Sequence, residues 1–84
     1  MNSSDIETKV RNIFLQMSFS HTMPADSSLI NLGILDSMSI LELIDRLEQD
    51  FFISFSEDEF SIENFESIKV ITSLLQKKLS SPVL

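Results

Sequence analysis

The run Gly33-Ile34-Leu35-Asp36-Ser37-Met38 sets one serine hydroxyl where an extended segment ends and an amphipathic pattern begins. The chain has no cysteine, hence no thiolate nucleophile, disulfide or zinc-thiolate site of its own, and no evident catalytic cluster. Covalent chemistry in which it takes part must therefore be attached to it, and Ser37 is the candidate attachment point. A side chain in the first turn of a helix projects from the rim, where another protein can reach it. A phosphodiester held there meets backbone N–H groups and the positive end of the helix dipole, worth about 0.3–1 kcal/mol at an exposed site. Local chemistry also permits a plainer reading. Asp36 or Ser37 caps the helix, or Ser39 with Glu42 forms a capping box that starts it slightly later. Asp36 either serves that cap or helps an enzyme's metal ion meet the serine.

Other chemistry-bearing residues lead nowhere. His21, the only histidine, has no nucleophile pattern near it. Glu57-Asp58-Glu59 has the composition of a calcium loop but not its glycine at the sixth position. No metal site is expected. The seven phenylalanines are not interleaved with basic residues, so they read as core rather than as a base-stacking platform. Met17, Met23 and Met38 read as packing residues.

The elements that must position Ser37 follow from hydrophobic spacing. Ile6, Val10, Ile13, Phe14 and Met17 form one helical stripe, and the pair Ser4 and Glu7 has capping-box spacing, predicting a helix from about Asp5 to Ser18. The stretch from Phe19 to Leu35 shows no sustained period and reads as a long loop, pinned by Met23, Leu29, Ile30, Leu32 and Leu35. In the second helix Met38, Leu41, Ile44, Leu47 and Phe51 lie three or four apart, Ile40 and Leu43 broaden the apolar face, and Glu42, Asp45, Arg46, Glu48 and Gln49 fill the remaining arc. Phe51 to Phe55 has no second strand to pair with, which favours a buried turn. Ser56 and Glu59 predict a short third helix over Glu57 to about Ile62, with Phe60 and Ile62 turned inward. A last helix spans roughly Ser67 to Leu79, with Ile68, Ile71, Leu74 and Leu75 inside and Lys69, Lys77 and Lys78 outside. The fold class is all-α: three main helices, one short one and a long first loop.

At 84 residues this is a single domain over 1–84, fraying at 1–4 and 80–84, with too small a core for a deep substrate cavity. A 43% hydrophobic content with 23% charged residues is globular rather than disordered. No apolar run reaches the roughly 18 residues of a membrane span, and the N-terminus lacks the basic start and apolar block of a signal peptide, so a cytoplasmic location is expected. The net charge of −7 is uneven: Asp36 to Glu66 holds ten acids against one base, Arg46, while the flanks are net positive. Such a field repels nucleic acid and anionic membranes and speeds encounter with basic protein surfaces, though it also serves simple solubility.

Asp36-Ser37-Met38 resembles the hallmark of the acyl and peptidyl carrier proteins, Asp-Ser-Leu or Asp-Ser-Met at the start of the second of four helices. The likeness continues through Leu41-Glu42-Leu43-Ile44 and Leu47-Glu48. Phe51-Phe52-Ile53 is similar to the family's Phe-Gly-Ile turn, with Phe52 in place of glycine. Asn64-Phe65-Glu66-Ser67-Ile68 followed by Ile71 looks like the start of the closing helix. The resemblance spans about Ile6 to Leu79. It implies a four-helix carrier bundle and a 4′-phosphopantetheine arm on Ser37, supported by Asp36. The arm comes from coenzyme A by way of a magnesium-dependent phosphopantetheinyl transferase, and its thiol carries acyl groups as thioesters. The carrier itself catalyses nothing. The implied partners are that transferase, an adenylating ligase or acyltransferase, and a downstream acyl-accepting enzyme, with no nucleic acid, no membrane insertion and a monomeric carrier. Matching positions give Met38, Ile40, Glu42, Asp45 and Glu48 as the partner-facing set, although Asp45 stands where many relatives have an apolar residue.

Fatty-acid carriers usually read Gly-x-Asp-Ser-Leu, whereas here two residues separate Gly33 from Asp36 and Met38 follows the serine. This pattern looks more like carriers of D-alanine for cell-wall polymers, or stand-alone carriers of specialised biosynthesis. Arg46 interrupts the acidic outer turn of the second helix, which implies a different partner set. The alternative is an unmodified acidic helical adaptor that binds a protein through the same helix.

Overall fold

A computed structural model describes residues 2–80. It contains α1 (Ser3–Gln16), α2 (Ser37–Phe51) and α3 (Ile68–Ser80), with 3-10 turns at Glu57–Glu59 and Ile62–Phe65, and no strand among the described residues. This is the expected all-α carrier-like bundle, with two 3-10 turns where one short helix was predicted. Of the termini expected to fray, Met1 and residues 81–84 lie outside the described residues, while Ser3, Ser4 and Ser80 are helical.

The first helix starts earlier than its spacing predicts. Asn2 is the cap, its side-chain oxygen accepting the Asp5 N–H at 2.9 Å. Glu7 turns to Arg11 one turn later, at 3.0–3.1 Å, instead of reaching back to Ser4. Ile6, Val10, Ile13 and Phe14 are buried as the stripe requires. Arg11 also organises the loop beyond α1, because its Nη1 donates to the carbonyls of His21 (2.9 Å) and Met23 (2.7 Å). His21 is thus tied into the loop by its backbone.

The long first loop is held at several points. Leu29 and Leu35 are buried, and Met23 and Ile30 pack partly against the core. Leu32 is 56% exposed and pins nothing. The Leu29 N–H donates to the Glu66 carbonyl and the Lys69 N–H to the Ala25 carbonyl, both at 2.8 Å, and the Ser28 hydroxyl meets Glu66 Oε1 at 2.6 Å. Gly33 takes φ +74° in the turn before α2, a left-handed conformation that glycine adopts without strain. The Ile34 and Leu35 N–H groups both return to the Leu29 carbonyl, which sets the approach to α2.

The buried stripe of α2 is Ile40, Leu43, Ile44, Leu47 and Phe51. Met38 and Leu41 do not belong to it. At about 100° per residue, Met38 falls roughly 160° from Ile40, and Leu41 sits on the flank about 100° round; they are 80% and 57% exposed. Both candidate stripes step by three and four, so spacing alone did not choose between them. Beyond α2, Phe51 and Phe55 turn inward, and Phe55 meets the buried Phe65 with ring centroids 5.8 Å apart.

In the 3-10 segment, Glu59 accepts the Ser56 N–H at 2.8 Å, the expected capping box. The turn then stops, so Phe65 rather than Phe60 or Ile62 reaches the core; the latter two are 44% and 53% exposed. Ser67 caps α3 by accepting the Val70 N–H at 3.1 Å. Ile68, Ile71, Thr72 and Leu75 face the bundle, Leu74 is partly buried, and α3 packs mainly on α1. Lys78, expected outside, folds inward: its Nζ lies 2.7 Å from Glu59 Oε1 and 5.0 Å from the Phe55 ring centroid.

Candidate functional site at the start of the second helix

Asp36, not Ser37 or Ser39, is the N-cap of α2, in extended backbone at φ −137°, ψ −174°. Its Oδ1 accepts the N–H groups of Met38 (3.0 Å) and Ser39 (2.9 Å) and faces the Ser39 hydroxyl at 3.1 Å. In return the Asp36 N–H donates to Ser39 Oγ at 2.8 Å. This is a capping box closed by serine, where the common template has Glu or Gln at the third helical position. Glu42, the partner considered for Ser39, lies 4.0 Å from Arg46 instead. The N–H and hydroxyl of Ser39 hold the Asp36 carboxyl below the usual carboxylate range, with the Met38 N–H adding to this and desolvation opposing it.

Ser37 is the first residue of α2 and is exposed. No described residue hydrogen-bonds its hydroxyl. Of the four N–H groups that open α2, those of Asp36, Met38 and Ser39 are taken, and only that of Ser37 has no partner among the described residues. The expectation of several free N–H groups at this end is thereby corrected: one remains, beside the serine's own hydroxyl.

The residues expected to face partners separate into two sets. Met38, Glu42 and Asp45 are exposed and share the arc opposite the buried stripe. Ile40 is 6% exposed and belongs to the core, so it offers no apolar contact; Leu41, placed in the core by spacing, is exposed instead. Glu48 is partly buried, and its Oε2 accepts the Phe55 N–H at 2.9 Å, which engages it in shaping the turn after α2. Asp45 also accepts from Gln49 at 3.1 Å. An open cavity of about 480 Å³ lies among Phe52, Ile53, Ser54, Glu59, Leu74, Lys77 and Lys78. It adjoins the opposite end of α2, roughly 20 Å from Ser37 at 1.5 Å per residue, and is not part of this site. Among the described residues no cluster of metal-ligating side chains occurs, and no helix is long and apolar enough to cross a membrane.

An exposed serine with an unbonded hydroxyl, held at the start of an acid-faced helix in a small all-α bundle, is the architecture of a carrier domain. Residues 20–76 match the family model described as "Phosphopantetheine attachment site". The chain is also 31% identical over 72 residues to "Aminoacyl carrier protein 2" of Bradyrhizobium diazoefficiens, covering 86% of this chain and 80% of that protein. The chain belongs to the phosphopantetheine-bearing carrier proteins, and 4′-phosphopantetheine is its prosthetic group. The start of α2 fits that group, since it offers an exposed acceptor hydroxyl and a neighbouring N–H that no described residue occupies.

Proposed function

We propose that Ser37 receives the phosphopantetheine arm and that the loaded carrier delivers an aminoacyl or acyl group to partner enzymes. The observation that carries this reading is the Ser37 hydroxyl, exposed at the first position of α2 and bonded to nothing among the described residues. In the transfer, Ser37 Oγ forms a bond to the phosphorus of the pantetheine half of coenzyme A. The phosphorus–oxygen bond to the adenosine half breaks, and the hydroxyl proton passes to the transferase. Once attached, the arm supplies the thiol that this cysteine-free chain lacks. The chain's own share is presentation: a rigid helix start holds the attachment point, and tethering raises the local concentration of cargo at each partner's active site.

The similarity to an aminoacyl carrier protein supports an amino acid as cargo. The Gly-Ile-Leu-Asp-Ser-Met pattern supports cell-wall D-alanylation or specialised biosynthesis over bulk fatty-acid synthesis. The partners are a phosphopantetheinyl transferase, an adenylating ligase or acyltransferase, and an acyl-accepting enzyme. Exposed Met38 and Leu41 with Glu42 and Asp45 form the face they meet, where carboxylates steer basic surfaces and the apolar pair supplies contact. Incubation with coenzyme A and a broad-specificity transferase should add one phosphopantetheine to the intact mass, and Ser37→Ala should abolish the gain. Reversing Glu42 and Asp45 to lysine should slow loading while leaving the helical circular dichroism intact. An unchanged mass for the wild-type chain would leave the adaptor reading in its place.

A further inference from the structure

Two residues separate Asp36 from Ser39, and Ser37 is one of them. The Ser39 hydroxyl accepts the Asp36 N–H (2.8 Å) and lies within donating distance of Asp36 Oδ1 (3.1 Å), while the Ser39 N–H donates to the same oxygen (2.9 Å). These bonds close a ring around Ser37 and Met38 in which neither the Ser37 hydroxyl nor its N–H takes part. Every bond made by the Asp36 carboxylate within this ring falls on Oδ1. No described residue bonds Oδ2, and Asp36 is exposed. One carboxylate oxygen is thus committed to the helix start, and the other, on the residue next to Ser37 in the chain, is bonded by no described residue.

We infer that Ser39 is a positioning residue for the modification of Ser37: its hydroxyl locks the Asp36 carboxylate, so that Oδ2 and Ser37 Oγ are presented together as one rigid element. Without that hydroxyl, Asp36 retains two backbone N–H donors but loses its reciprocal bond, and its backbone N–H must turn to water. The carboxylate is then free to rotate, and the first turn that carries Ser37 loosens. A rim hydroxyl that must meet phosphorus in line is sensitive to such loosening, because small displacements of reacting atoms cost large factors in rate. The sequence motif points to Asp36 and Ser37; only the hydrogen-bond ring adds Ser39.

This inference rests on the proposed attachment at Ser37, and the test separates the two. Ser39→Thr keeps the hydroxyl, while Ser39→Val has the same shape as the threonine variant without it. Both apo variants would be followed by intact mass during transfer from coenzyme A, well below the melting temperature, with helicity checked by circular dichroism. The loss of about one hydrogen bond at the helix start predicts a roughly tenfold lower kcat/KM for Ser39→Val and a near-wild-type value for Ser39→Thr. Carboxyl NMR on the apo proteins supplies a second readout. The Asp36 resonance should titrate at higher pH in the valine variant than in the threonine variant, since the hydroxyl that favours its charged form is gone. Equal modification rates for the two variants, whether both near wild-type or both slow, would overturn the inference. Failure of the wild-type chain to gain mass would instead overturn the attachment at Ser37.

Discussion

At its N-terminal end α2 begins in relaxed, extended backbone at Asp36, and one short side chain on each side of Ser37 satisfies three of the four opening N–H groups. At its C-terminal end it stops at Phe52, which takes the left-handed conformation (φ 55°, ψ 48°) with its N–H returned to the Glu48 carbonyl and its ring 93% exposed. Glycine is the residue that ends a helix this way without strain, and glycine is what the resembled family has at this position. A non-glycine residue held left-handed costs about 1–2 kcal/mol. The two ends of one helix therefore differ in kind. The end that presents Ser37, the proposed attachment point, is locally complete, whereas the other carries strain and depends on its neighbours: Glu48 accepts from Phe55, and Glu59 holds both Ser56 and Lys78.

Loss of the complete end should have the largest effect. Asp36→Ala removes the acceptor for two N–H groups and should lower the unfolding free energy by about 1 kcal/mol, within the usual 0.5–2 kcal/mol for a lost N-cap; urea denaturation measures it, and an unchanged midpoint would mean that the cap contributes nothing. Relief of the strained end should move stability the other way. Phe52→Gly gives up almost no burial and removes the left-handed penalty, partly offset by the entropy of glycine in the unfolded chain, for a net gain of about 0.5–1 kcal/mol. A lower melting temperature in that variant would show that the ring makes a stabilising contact and would erase the contrast between the ends.

The smallest expected effect concerns pH. The Lys78 ammonium, followed by the Ser56 N–H, holds the Glu59 carboxyl below its ordinary value of 4.5. A carboxyl lowered in the folded state stabilises the fold above its unfolded pKa, and that contribution disappears as pH falls through the lower folded value. Stability should thus decline below about pH 4.5. Glu59→Gln, which retains an acceptor for the Ser56 N–H but not the ion pair, should show a shallower fall between pH 7 and pH 3 in melting temperatures. Asp36 is lowered as well and contributes to the slope in the same direction.

Much of the bundle was legible because burial recurs at helical spacing. The α1 stripe, the core of α3 and the Ser56 and Glu59 box each depend on residues within a turn or two of one another. The motif around Ser37 was legible for the same reason. Leu41 and Ile40 were not, because two overlapping stripes on α2 satisfy the same periodicity and only packing against the rest of the bundle selects one. The direction of Lys78 was equally hidden, since its partner Glu59 lies nineteen residues away.

By itself the sequence determined the three main helices, an acid-faced second helix and the Asp36-Ser37 pair at its start, since each is written in local spacing and charge. Tertiary structure decided which face of that helix is buried and that Glu48 and Lys78 are engaged in packing the turn region. Those outcomes depend on what each side chain meets across the fold, and no local pattern encodes a distant partner.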